Sequence, residues 1–361
     1  MRSTPDAAVG SAETGAFADL ESRFRLARER LAGSRRLRLA LGGGTAAIEV
    51  AGDRLFDRIT PALQHLAVEG DGRAADFSVS LWDADETGLA GPPPAPGGDP
   101  TAPAIVTVSG DGRFVLQRRT HAVVGHDRAR SAVVGWFRDV DRMPLYDRGR
   151  PLHPQILLWN QDRGAPPLHA GLVARSGRGA LLVGQGGSGK TTAALACLLN
   201  GFDFLGDDYV SLRKGNGGAF VGHGVYGSTH VDPHHLTRFP ELFARAVFPR
   251  WENEDKAVVF LGEAFPERLA RESPIDALFL PTVRSGGTAA RTATPAEASL
   301  RLVQGALALA PHAGAGGMEP LFELASNVPA FWLDLGSDLD EIPTVISATL
   351  ETLPPATGTT R

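Results

Sequence analysis

Apolar and polar positions along this chain change period several times, and the changes predict a mixture of helices and strands. Through ADLESRFRLARERLAG apolar residues recur at helical intervals among good helix formers, which predicts a first helix. Residues 1–16 ahead of it are small and polar and are expected to be disordered. RLRLALGG and TAAIEVAG alternate as strands do, RLFDRITPALQHLAV reads as a helix interrupted at Pro61, and DFSVSLWDA alternates again. The stretch TGLAGPPPAPGGDPTAP sustains neither a helix nor a ladder, so a surface loop is expected there. After it, AIVTVSGDGRFVLQRR reads as two strands joined around Gly110-Asp111-Gly112.

From Pro151 onward LHPQILLWNQ reads as a helix, and RGAPPLHAGLVARSGRGALLVG as two β-rich runs meeting at Ser176-Gly177-Arg178. TTAALACLLNGF is a helix ending at Gly201, and FDFLGDDYVSL is one further strand. KAVVFLGEAF, DALFLPTV, PAEASLRLVQGALALA, AFWLDLG and EIPTVISATLETL continue the alternation of strand and helix patterns, which indicates a layered α/β fold. No internal repeat is visible. A chain of 361 residues exceeds what one core usually organises, so two domains are expected. The pattern divides as a disordered N-terminus over 1–16, a mixed α/β recognition domain over 17–148, a second α/β domain over 149–352 and a flexible tail over 353–361.

Composition narrows the class of partner. The net charge of −5 is small, so nothing argues for nucleic acid or an anionic membrane as the main partner. The first residues lack the apolar core of a secretory signal, and no apolar run is long enough to span a bilayer, so a cytoplasmic setting is expected. The single cysteine, Cys197, sits in the apolar run AALACLL, which favours a small buried hydrophobe over a reactive thiol.

Chemistry concentrates after residue 168. Gly184-Gln185-Gly186-Gly187-Ser188-Gly189-Lys190-Thr191 fits G-x-x-x-x-G-K-[ST], the phosphate-binding loop, and lies between a buried-strand pattern and a helix pattern. In that setting backbone N–H groups and a helix N-terminus converge on phosphate oxygens. Gly184, Gly186, Gly187, Ser188, Gly189, Lys190, Thr191 and Thr192 are therefore the nucleotide-binding candidates, with Lys190 reaching the β/γ-phosphates of ATP and the Thr191 hydroxyl ligating Mg²⁺. A second element, Asp207-Asp208, stands at the expected end of a strand, where ligands collect in open α/β sheets. Neighbouring strand side chains face opposite ways, so the two carboxylates are expected to divide the work. One holds Mg²⁺ or its water, and the other accepts a proton from an attacking hydroxyl.

Taken together, LHAGLVARSGRGALLVGQGGSGKTTAALACLLNGFDFLGDDYVSL resembles the catalytic core of the HPr kinase/phosphorylase family. The resemblance covers residues 168–212 well and the later pattern weakly. It implies a P-loop fold shared with phosphoenolpyruvate carboxykinase and transfer of the γ-phosphoryl group of ATP to a serine hydroxyl. His169 matches the family's active-site histidine, Gly184 to Thr191 its nucleotide loop, and Asp207 with Asp208 its acidic pair, so the catalytic set is His169, Lys190, Asp207 and Asp208 and the metal ligands are Thr191 and Asp207. Read without the resemblance, His169 in Leu168-His169-Ala170 is better explained as a hydrogen-bonded core histidine, and it is the resemblance that makes it a catalytic candidate.

The chain departs from the family after the acidic pair, where a glycine-rich signature bearing Glu and Arg is replaced by GHGVYGSTHVDPHHLTRFP. That departure predicts a kinase without the phosphate-dependent reverse reaction. The histidines of this stretch lack a zinc-site spacing. The chain looks more like divergent HPr kinase-related proteins, some of which are associated with ribosomally made peptides, so the expected acceptor is a protein or peptide with a serine-type hydroxyl, a ribosomal peptide precursor among the options. A small-molecule kinase and a non-catalytic ATP-dependent binding protein are the alternative readings, and homo-oligomerisation is left open.

Overall fold

The computed structural model describes residues 6–70, 72–165, 167–215, 218–309 and 318–354. Most of the expected flexible tail, and the first five residues, lie outside that set. The first helix, α1, spans Asp6–Arg30. The expected disorder over 1–16 is thus corrected for residues 6–16, which are helical. The physical reason is local: DAAVGSAETGAF is rich in alanine and carries glutamate, which lose little freedom in a helix. Phe17, Leu20, Phe24 and Ala27 then form one apolar stripe that packs against Trp82, Phe114, Leu116, Val123 and Trp136. Each fully buried large side chain of this kind contributes about 1.5–3 kcal/mol.

The chain divides into two compact units, Met1–Ala40, Gly44–Trp159 and Asp232–Val259 in the first, and Leu41–Gly43, Asn160–Val231 and Phe260–Arg361 in the second. In the first unit α1 covers a sheet of β1 (Arg35–Leu41), β2 (Gly44–Ala51), β3 (Phe77–Asp83), β4 (Ile105–Val108), β5 (Phe114–Arg118), β6 (Ala122–Asp127) and β7 (Ala132–Phe137). Their order across the sheet is β1-β2-β3-β7-β6-β5-β4. β2, β3 and β7 run parallel, and the remaining ladder from β7 to β4 is antiparallel. Helix α2 (Asp53–Ile59) stops just before Pro61, as proline's missing donor requires.

Helix α3 (His153–Asp162) begins in the first unit, so the change of unit falls after Trp159 and not at residue 148. Two contacts hold it there: Trp159 stacks on Phe77 with ring centroids 5.0 Å apart, and the Gln155 Nε2 donates to Gln117 Oε1 at 2.8 Å.

The second unit carries β8 (Pro167–Leu168), β9 (Ala170–Arg175), β10 (Arg178–Val183), α4 (Lys190–Leu199), β11 (Asp203–Gly206), β12 (Val210–Lys214), β13 (Phe220–Gly224) and β14 (Ser228–Val231). The chain then returns to the first unit, where Asn253 donates to Asp99 at 2.9 Å and the Leu145 amide donates to Glu254; this segment leads into β15 (Ala257–Phe260). After it come β16 (Glu272–Val283), β17 (Ala289–Ala293), α5 (Pro295–Leu309), α6 (Glu319–Asn327), β18 (Ala330–Leu335) and α7 (Glu341–Thr352). The sheet order is β11-β9-β10-β16-β13-β12-β8, with β18 also on β16 and β17 on β18. The long β16 joins two patterns, pairing antiparallel with β13 near its start and parallel with β10 and β18 farther on. Strands buried on both faces explain why ALLV reads as a continuous apolar run. The fold is α/β throughout.

One strand expected from the sequence is two. FDFLGDDYVSL breaks at Asp207-Asp208-Tyr209, and its halves join different neighbours: β11 pairs with β9, and β12 with β13 and β8.

Candidate active site

Strand register brings the candidate residues together. β9 lies between β11 and β10 and is antiparallel to both, with Ala170 opposite Val183 and Leu172 opposite Gly206. The residue before Ala170 is His169, the residue after Val183 is Gly184, and the residue after Gly206 is Asp207. The histidine, the glycine loop and the acidic pair therefore stand at one end of three adjacent strands, each about 4.8 Å from the next.

The loop's backbone takes conformations that glycine permits. Gly187 has φ +76° and Gly189 φ +102°, values that a side chain resists. A Cβ on Gly189 would lie 2.3 Å from Leu335 Cδ1, whereas on Gly186 or Gly187 it would meet nothing within 4 Å. One side of the loop is thus packed, and the other is open. α4 starts directly at Lys190, with Gly189 as its left-handed cap. The Lys190 Nζ donates to the carbonyls of Gly184 at 2.8 Å and Gln185 at 3.1 Å, folded over the loop's own backbone. The Ser188 hydroxyl is buried and has no hydrogen-bond partner among the described residues, a group for which an anion's oxygen would be a fitting partner. Thr191 and Thr192 are half-buried in the first turn.

The two aspartates have different surroundings. Asp207 is buried, and its Oδ2 accepts from the Thr229 hydroxyl of β14 at 2.7 Å. Asp208 faces His169, with Oδ1 2.6 Å from the ring Nδ1. His169 also meets the Tyr209 ring edge-on at 6.1 Å, and Tyr209 meets Tyr226 in the same way at 6.5 Å. A carboxylate on Nδ1 fixes the imidazole's orientation. The break between β11 and β12 is what allows both aspartates to reach partners near one strand end, which an unbroken strand would forbid. Thr229, Tyr209 and Tyr226 are contributions that the sequence reading missed. Of these only Thr229 left a trace, as a polar residue inside the strand-like run STHV.

Thr191 and Asp207 supply a hydroxyl and a carboxylate, hard oxygen donors that fit Mg²⁺. This ion takes one or two carboxylates and completes its shell with phosphate and water. Among the described residues no three or more His, Cys, Asp or Glu side chains gather as a metal cluster, which such a site does not require. Cys197 is fully buried, and burial pushes its thiol far above the ordinary range, as expected of a structural cysteine.

No family model matches the chain, and no curated protein matches its sequence. Among solved structures, the Hpr(Ser) kinase/phosphatase from Coxiella burnetii is similar over 52% of this chain and 97% of its own, with a TM-score of 0.30 and 13% identity. At that distance the functional case rests on the residues of this chain. Among the described residues no helix is long and apolar enough to cross a membrane.

Proposed function

We propose that the second unit binds ATP with Mg²⁺ and transfers the γ-phosphoryl group to a serine-type hydroxyl of a protein or peptide acceptor. The observation that carries this reading is the register placing His169, Gly184 and Asp207 at one end of β9, β10 and β11. A phosphate cradle, a cation and two differently partnered carboxylates are what phosphoryl transfer asks of a protein, since its catalysis is positioning and charge stabilisation.

Each group has a task in this scheme. The open face of the loop, with its N–H groups and the start of α4, holds the phosphates. Lys190 gives up its loop carbonyls for phosphate oxygens. Thr191 and Asp207 would hold Mg²⁺, which would supply positive charge against the phosphates, and the Thr229 hydroxyl keeps Asp207 in place. Asp208 takes the proton of the acceptor hydroxyl as its oxygen bonds to the γ-phosphorus and the bond to the bridging β-oxygen breaks. His169 orients that carboxylate from 2.6 Å.

The test separates binding from transfer. Calorimetric titration of Mg-ATP should show saturable binding that Lys190→Ala weakens by at least tenfold. Equal affinity of the two proteins would remove the loop from nucleotide handling.

A further inference from the structure

β4 closes one side of the first unit's sheet, and among the described residues it pairs with β5 alone. Its ladder sets Ile105 opposite Arg118, Val106 opposite Gln117, Thr107 opposite Leu116 and Val108 opposite Val115. One step beyond, the Ser109 amide donates to the Phe114 carbonyl at 2.9 Å. Along an antiparallel strand, residues alternate between turning their N–H and C=O toward the partner and turning them away. Ile105, Thr107 and Ser109 therefore face β5, whereas Val106 and Val108 turn both groups outward. Neither of these two residues has an outward hydrogen bond among the described residues.

The side chains make this edge apolar on both faces. Leu116 packs against α1, so Thr107 opposite it, and Ile105 two residues away, share the helix-covered face. Val106 and Val108 lie on the other face, beside the half-buried Val115. Val106 is 55% exposed, and Val108 and Ile105 are each 47% exposed. Edge strands of soluble proteins commonly carry a charge, a proline or a bulge that discourages pairing with another chain. β4 has none of these: its sequence is IVTV, and its register with β5 runs without a shift.

Two outward N–H groups and two outward carbonyls, with apolar side chains above and below them, complement an extended backbone. A helix satisfies its own main chain and would leave all four groups unpaired. A second copy of this chain would bury too little. Four residues span about 13 Å and a sheet layer is about 10 Å deep, so edge-to-edge contact covers on the order of 130 Å², against about 800 Å² per partner in a stable interface. A single added strand needs no such area, because main-chain hydrogen bonds and alternate side chains supply its affinity. We propose that β4 docks an extended peptide segment of a partner polypeptide as an eighth strand of this seven-stranded sheet, with apolar residues at every second position beside Val106, Val108 and Val115. This assignment is independent of the phosphoryl-transfer reading.

The test titrates the full chain into the fluorescein-labelled peptide KTVTVTVTK, followed by anisotropy. A control peptide N-methylated at every valine and threonine keeps the side chains but has no strand donors. Saturable binding is expected for the first peptide, with the control weaker by about tenfold or more. Amide hydrogen exchange locates the contact: saturating peptide should slow the Val106 and Val108 amides about tenfold or more and change the Thr107 amide, already turned to β5, much less. Val106→Pro removes one outward donor, a change that an edge strand tolerates, and Val108→Lys adds a charge beside the edge while keeping its N–H. Each should weaken binding by about tenfold, with thermal melts showing which variants are folded. Absence of saturable binding overturns the proposal, and so does a control peptide that binds equally well. Undiminished affinity in a folded variant, or protection that spares Val106 and Val108, would place the binding elsewhere. Protection of these amides without peptide, growing with protein concentration alongside a dimer in sedimentation, would give the edge to a second copy and overturn the peptide assignment.

Discussion

Replacing Thr229 with valine removes one hydroxyl and keeps the shape of the side chain. Thr229 is fully buried in β14, and its hydroxyl donates to the Oδ2 of Asp207 at 2.7 Å; Asp207 is itself only 3% exposed. Water cannot readily replace the lost donor at so enclosed an acceptor. A hydrogen bond to a charged group contributes about 1.5–3 kcal/mol, so a loss near 2 kcal/mol is expected. For a unit of about 200 residues that loss lowers the melting temperature by roughly 4–8 °C. Thr229→Ser retains the hydroxyl and should recover most of the stability. The assay is urea unfolding of wild type, Thr229→Val, Asp207→Asn and the double variant, read as a double-mutant cycle. If the hydroxyl acts through Asp207, the valine substitution costs much less in the Asp207→Asn background. A Thr229→Val protein as stable as wild type, or a cost undiminished in the double variant, would refute the anchoring role.

Two further outcomes follow from the buried groups. The Arg113 side chain hydrogen-bonds both oxygens of the buried Asp127, at 2.9 and 2.8 Å, and this pairing holds the carboxyl below its ordinary value of 3.8. A depressed carboxyl pKa stabilises the fold above the unfolded value and loses that contribution as pH falls through the folded one. Asp127→Asn should therefore be less stable than wild type at pH 7, with the gap closing below about pH 4 in denaturant titrations; a gap independent of pH would contradict the pairing. Cys197, buried and with its thiol pushed far up, should resist a thiol reagent in the native protein at pH 8 and react fully in urea, as followed by release of the chromophore. Rapid labelling of the native chain would show that the helix opens easily.

The glycine loop was legible because its motif and its context agree: a buried run ending at Val183, glycines, then a helix pattern. The acidic pair was legible as residues but not as geometry. FDFLGDDYVSL alternates well enough to read as one strand, and its break becomes visible only when β11 and β12 are seen to pair with different neighbours. The start of α1 was hidden because alanine, glycine and serine carry no periodic apolar signal before Phe17. The hairpin of β6 and β7 escaped notice for the opposite reason: AVVGHD and AVVGWF are buried at every position and so show no alternation. The return of residues 232–259 to the first unit depends on side-chain contacts such as Asn253 with Asp99, which no local pattern announces.

The central claim is that Asp208 and its neighbours transfer phosphate from ATP to a hydroxyl. Its most direct test is ³¹P NMR of the full chain with Mg-ATP and a pool of synthetic serine-containing peptides, run in parallel with Asp208→Asn. The account predicts a phosphoserine signal that grows with wild type and is at least a hundredfold slower with the variant, while both proteins bind Mg-ATP within a few-fold of each other, because an amide cannot accept the acceptor's proton although the cradle is unchanged. Phosphoserine forming equally fast with Asp208→Asn would contradict the assignment of the base, and ATP left unbound by the wild-type chain would contradict the account as a whole.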